Sequence, residues 1–125
     1  MIYLSKDQIL LLHDKLIERY GGSYGVRDDG LLDSAVNAPF QSFDGNDFFP
    51  TVTDKAVRLC IGLVRNHPFI DGNKRIGALA LLTTLDLNKY HFRISNAELS
   101  SVILDLAAGK INDEYLLQWV MDRID

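Results

Sequence analysis

Residues 67–75 read HPFIDGNKR and crowd an imidazole, a carboxylate, a carboxamide and two cations around one glycine, just ahead of a long apolar run. Asp71 and Gly72 stand where that run would open a helix, so about four backbone N–H groups point outward there without partners. Such an end carries positive partial charge and takes anions readily, and Gly72 has no side chain to hold a phosphate away. Lys74 and Arg75 add full charges at the end where the helix dipole prefers carboxylates, an arrangement that costs stability unless an anion is expected. Asp71 offers a hard oxygen ligand beside the phosphate position, as Mg²⁺ requires when it is shared between a protein and phosphates. Asn73 can donate to phosphate oxygens through its amide. His67, just outside, can take a proton from an attacking hydroxyl at neutral pH. Together these parts describe transfer of a group from a nucleotide to a hydroxyl.

Each residue alone has a plainer reading: Asp71 as an N-cap, Lys74 and Arg75 as a solvated first turn, His67 as a loop histidine. The cluster outweighs them, because six special residues fall within nine positions at the mouth of the most apolar helix. Other motifs fail on spacing. Lys74 follows asparagine where a P-loop needs glycine. Phe48 and Arg75 stand where a calcium loop wants Asp or Asn at its fifth position. His13, His67 and His91 are scattered and lack zinc spacing, which leaves His13 as a helix-surface residue and His91 as an exposed neighbour of a short strand.

The elements that must position this cluster are helical. Ser5 and Gln8 have capping-box spacing ahead of Ile9, Leu12, Leu16, Ile17 and Tyr20, and Gly21 and Gly22 stop that helix. Asp28 or Asp29 caps a short second helix through Leu31, Leu32, Ala35 and Val36, ended by Pro39. A third helix runs from Thr53 to Asn66 and is closed by Pro68, which disfavours helical geometry at His67. Ile76 to Leu87 is apolar nearly all round and should be the centre of the fold. YHFRIS (90–95) alternates as a brief extended segment. Ser95 and Glu98 make another capping box before a helix that Gly109 stops, and Asn112 caps the last one. Between the second and third helices, Phe40, Phe43, Phe48 and Phe49 surround Asp44-Gly45, the signal of a small hairpin. These rings either pack back on the core or form a flap that grips a ligand or peptide.

The expectation is therefore an all-α fold, a single domain over 1–125, with a helical bundle around a central buried helix and a hairpin flap. At 47% hydrophobic and 24% charged residues the composition is that of a soluble globular protein. The net charge of −4, with no basic run, argues against nucleic acid as a partner. One cysteine, Cys60, excludes a disulfide framework and reads as a small buried hydrophobe. The N-terminus lacks a signal-peptide pattern and IGALALLTTLDL is too short and too polar to span a membrane, so a cytoplasmic protein is expected.

HPFIDGNKR resembles the signature of the Fic/Doc superfamily, H-x-F-x-[DE]-[AG]-N-[GK]-R. LHDKLIERYGG followed by RDDGLLDSAV also resembles the opening helices of the death-on-curing branch, and the length suits that branch over nearly the whole chain. The resemblance implies an all-α Fic fold with ATP and Mg²⁺ as cofactors. His67 would be the general base, Asp71 would hold Mg²⁺, and Gly72, Asn73, Lys74 and Arg75 would cradle the nucleotide phosphates. Phe69 would be a buried anchor, and the hairpin of Phe40 to Phe49 the flap that positions a target segment.

Members that transfer AMP usually have glycine after the asparagine and a second arginine three residues beyond the first, where this chain has Lys74 and Ala78. Lys74 should crowd the anion site that a glycine leaves open. The death-on-curing branch shares the lysine, and there the nucleotide is thought to bind reversed, so the γ-phosphoryl group moves and the protein acts as a kinase. That branch's best-known target is a threonine of elongation factor Tu. No [ST]-x-x-x-E-[GN] inhibitory helix is found, so restraint is expected from a separate antitoxin protein. The leading expectation is a toxin-like kinase of protein Ser/Thr hydroxyls. Gly72, where these toxins often have alanine, keeps AMP transfer as the alternative. A non-catalytic helical binding module is a third reading, and a nuclease toxin a fourth that the acidic charge disfavours.

Overall fold

The computed structural model describes residues 1–125. Its six α-helices are α1 (Lys6–Tyr20), α2 (Asp29–Asn37), α3 (Val52–Asn66), α4 (Asn73–Leu87), α5 (Asn96–Ala107) and α6 (Asp113–Met121). Local chemistry sets most of their starts. Ser5, Thr51 and Ser95 close full capping boxes with Gln8, Asp54 and Glu98, and Asp28 and Asn112 cap α2 and α6 through their side-chain oxygens. Helix α4 begins differently, at Gly72, whose φ of 79° suits glycine and which supplies no side-chain cap.

Between α2 and α3 lie a 3₁₀ turn (Ala38–Phe40) and the hairpin β1 (Ser42–Phe43) and β2 (Asn46–Asp47), antiparallel with Ser42 opposite Asp47 and Phe43 opposite Asn46. Asp44 and Gly45 both take positive φ, 51° and 79°, as a tight two-residue hairpin turn requires. Phe40, Phe43 and Phe48 remain exposed, so the reading in which the rings pack back on the core fails for three of the four. The hairpin is moored instead by the buried Lys55 of α3, whose ammonium is bonded to the Phe49 carbonyl and lies 3.5 Å from the Asp47 carboxylate.

Two clusters make the core, and α3 and α4 serve both. Ala56, Val57, Cys60, Ile61 and Val64 pack with Leu81 and Leu85 against α5 and α6. Leu59 and Leu63 pack with Ile76, Ala80 and Phe69 against Ile9, Leu32 and Ala35 of α1 and α2. The centre is thus a helix pair. Helix α3 is buried along more of its length than α4, whose Lys74, Arg75, Asp86 and Leu87 face solvent. The pair approaches closely at Gly77: a Cβ there would stand 2.6 Å from Val64 Cγ2 and 3.3 Å from the Cys60 carbonyl oxygen. Burial pushes the Cys60 thiol up to about 12, which makes it an inert hydrophobe. The extended segment after α4 pairs with the C-terminus, Arg93 N–H donating to Arg123 O at 2.8 Å. No helix is long and apolar enough to cross a membrane.

Candidate active site

Helix α3 ends at Asn66 and α4 starts at Asn73, so the loop between them, residues 67–72, hangs at one end of the central pair. His67 leaves the helix with φ 52° and ψ 53°. Pro68 disfavours the right-handed option, and the chain takes the left-handed well in place of the extended one, a conformation that costs a non-glycine residue about 1 kcal/mol or more. Phe69 is buried under the loop and stacks on His13, with ring centroids 3.8 Å apart and planes 9° from parallel. The Asn73 amide turns back into the loop, accepting from Phe69 N–H at 2.9 Å and donating to Phe69 O at 3.0 Å.

This arrangement gathers all six residues read from the sequence. His67, Asp71, Gly72, Asn73, Lys74 and Arg75 line one cleft of about 850 Å³, walled by Ile17 of α1 and by Leu104 and Ala108 at the far end of α5. That volume falls in the roughly 300–1,000 Å³ range of ligand clefts. His67 is exposed, and its imidazole makes no hydrogen bond within the protein. Lys74 and Arg75 are exposed and take part in none of the ion pairs, although the Arg75 guanidinium lies 4.7 Å over the Tyr20 ring. The backbone N–H groups of Asn73, Lys74 and Arg75 have no partner, because the first helical bond of α4 runs from Ile76 N–H to Gly72 O. The Asn73 side-chain amide, expected to reach phosphate, is instead bonded through its oxygen and its nitrogen to the Phe69 backbone, and it is the Asn73 backbone N–H that is left free at the helix start.

Asp71 is not the N-cap of α4. Its Oδ1 accepts from Gly72 N–H at 2.8 Å and its Oδ2 from Ser23 N–H at 3.1 Å. The carboxylate is therefore fixed and exposed, with lone pairs to spare. One oriented carboxylate beside a phosphate cradle suits Mg²⁺, which keeps most of its shell for water and phosphate oxygens. No group of three His, Cys, Asp or Glu side chains exists that could hold an ion alone.

Two contributors escaped the sequence reading. His13, expected on a helix surface, is buried, and its Nε2 is 2.7 Å from the Asp71 carbonyl oxygen, so that nitrogen carries the proton and donates. Ile9, His13 and Ile17 are spaced four apart on the buried face of α1, a pattern that could have placed it. The second is the strap of residues 22–28, laid along the motif. Arg27 Nε donates to His67 O at 2.7 Å and Nη2 to Asn66 O at 3.0 Å. Arg27 and Asp28 N–H both donate to Pro68 O, and Ile70 N–H donates to Gly25 O.

Comparison with known proteins agrees with this geometry. A curated relative from Mycolicibacterium smegmatis, "Toxin Doc", is 46% identical over 69 residues, 55% of this chain and 53% of the relative, so the match spans about half of that protein's length. "Protein kinase doc" of Escherichia phage P1 is 26% identical over 112 residues, 90% of this chain and 87% of the relative. The family model described as Fic/DOC family matches residues 3–85, a stretch that includes the cleft's loop and the start of α4. An all-α fold whose signature residues share one cleft, under a family match over most of the sequence, means that the chain belongs to the Fic/DOC family.

Proposed function

We propose that the chain is a Doc-like toxin that transfers the γ-phosphoryl group of ATP to a Ser or Thr hydroxyl of a protein, and that a separate antitoxin restrains it. The observation that carries this reading is the opening of α4. It alone among the helices starts without a side-chain cap, with three free N–H groups and two unpaired cations beside an exposed histidine. Such an opening suits polyphosphate.

In this reaction the target hydroxyl oxygen forms a bond to the γ-phosphorus as the bond to the β–γ bridging oxygen breaks, and ADP leaves. The hydroxyl proton passes to the His67 imidazole. The N–H groups of Asn73, Lys74 and Arg75, with the two side-chain cations, hold the phosphate oxygens and stabilise the charge that spreads over them in the transition state. Asp71, held by Gly72 and Ser23, would ligate Mg²⁺, which when bound neutralises phosphate charge. The hairpin, expected as a flap over the site, sits at the opposite end of α3 and lines no part of the cleft, so the target segment, for which elongation factor Tu is the candidate, would meet the exposed cleft directly.

Lys74 favours γ-phosphoryl over AMP transfer, because it stands in the anion cradle where AMP-transferring relatives have glycine. Ala78, where those relatives have a second arginine, packs partly buried against the core and offers no charge. The name of the phage P1 relative points the same way. The test is incubation of the protein with Mg²⁺, a bacterial lysate and ATP labelled at either the α or the γ phosphate. Label from γ alone in a protein band is expected, with His67→Ala lowering the rate by about 10²-fold or more and leaving the fold intact. Label from α would overturn the reading of Lys74, and label from neither would return the chain to the class of binding modules.

A further inference from the structure

The strap of residues 22–28 does more than border the cleft. At the end of α3 the last carbonyls lose their helical partners, and His67 turns into the left-handed region. Its exposed imidazole makes no hydrogen bond, ion pair or ring stack that would orient it, so its direction is inherited from the backbone. Most of the groups that grip that backbone belong to one residue, the Asp28 N–H adding a second bond to Pro68 O. Arg27 donates from two nitrogens to the carbonyls of His67 and Asn66, and its own N–H donates to Pro68 O at 2.7 Å. Three successive carbonyls, 66 to 68, are thus held from a residue 40 positions away in sequence.

Arg27 is exposed and forms none of the ion pairs, although Asp28 and Asp29 follow it directly. Asp28 is occupied in capping α2, and Asp29 pairs with Lys6. The guanidinium is spent on the two carbonyls, where its fork matches a pair of acceptors and its charge suits a helix C-terminus. A lysine, a point charge with no fixed fork, would reach one carbonyl at a time.

We infer that Arg27 is a positioning residue for the transfer reaction: by clamping the Asn66 and His67 carbonyls it fixes the direction in which the His67 imidazole receives the hydroxyl proton. The inference rests on the reading of the site given above. It assigns Arg27 no contact with the nucleotide, since the cleft is lined by other residues. Loss of Arg27 therefore acts on turnover and not on ATP binding.

The experiment compares Arg27→Ala and Arg27→Lys with the natural chain in two assays. In phosphoryl transfer, Arg27→Ala is expected to lower kcat by about 10²-fold while the KM for ATP stays within about twofold. Arg27→Lys should recover part of the loss, and millimolar guanidinium chloride should recover part of it in Arg27→Ala. Independently of activity, the long-range ¹H–¹⁵N signals of the three imidazoles are recorded. In Arg27→Ala the His67 signals should shift and broaden while those of His13 and His91 and the core methyls of Leu81 and Leu85 stay in place. If the natural chain transfers nothing, the kinase reading falls and the imidazole spectra still decide whether Arg27 orders His67. Unchanged His67 signals, an unchanged kcat in an active protein, or a raised KM at constant kcat would each overturn the assignment.

Discussion

Helices α3 and α4 lie side by side, yet they start in opposite ways. At α3 the Thr51 hydroxyl accepts from Asp54 N–H and the Asp54 carboxylate accepts from Thr51 N–H, so the positive end of the helix meets an acid and two of its loose ends are closed. At α4 there is no side-chain cap and no acid within the first turn, which carries Lys74 and Arg75. The first start is built for stability. The second forgoes a contribution of roughly 1 kcal/mol from a cap and up to about 1 kcal/mol from the dipole. The α4 start is supported from outside instead, by His13 on the Asp71 carbonyl and by the strap beneath it.

Making α4 resemble α3 should separate function from stability. Lys74→Glu places an acid in the first turn, and ATP binding, followed by calorimetry in Mg²⁺, should weaken by about 10²-fold through lost attraction and added repulsion. The same variant should unfold at equal or higher denaturant concentration, since the dipole contribution gains a few tenths of a kcal/mol. A variant that lost stability and kept its affinity would contradict the contrast.

Removing the outside support is the next largest change. His13→Leu leaves the Asp71 carbonyl without its donor and ends a ring stack, and should cost about 1–3 kcal/mol in urea unfolding. His13→Gln, which keeps a donor, should recover part of it. Equal losses in both would show that the hydrogen bond contributes nothing. The smallest effect is expected at the other start: Thr51→Ala should lower stability by about 1 kcal/mol and leave ATP affinity unchanged. A change in affinity there would mean that the two starts are coupled.

The contrast was half visible in the sequence. The boxes Ser5/Gln8 and Ser95/Glu98 are local four-residue patterns, and both formed as read. Thr51/Asp54 was passed over because aspartate stands where glutamate or glutamine is the usual partner, and α3 begins at Val52 where Thr53 was expected. The motif residues were legible because HPFIDGNKR is contiguous and a single loop carries it to one cleft. The parts that hold it were not. The bond from His13 spans 58 positions and those from Arg27 about 40, and neither leaves a trace in local periodicity. The Asn73 amide was aimed at phosphate from chemistry alone, whereas burial of Phe69 draws the loop inward and gives that amide two backbone partners first. The α5 wall of the cleft was missed for a simpler reason: Gly109 was read only as the residue that stops a helix, and the turn before it was given no task.

The joint between α3 and α4 at Gly77 bears on how this protein could be engineered. Exchanging a helical glycine for alanine is a standard stabilising move, with a gain of about 1 kcal/mol where space allows. Here the added methyl would be a wedge driven between two beams, from α4 against Val64 and the Cys60 carbonyl of α3. The beams meet the loop of residues 67–72 at their shared end, so forcing them apart at residue 77 would spread His67 from the cationic turn of α4. Gly77→Ala should disarm the protein without altering a single residue that lines the cleft, a route to an attenuated variant whose binding surface stays chemically intact.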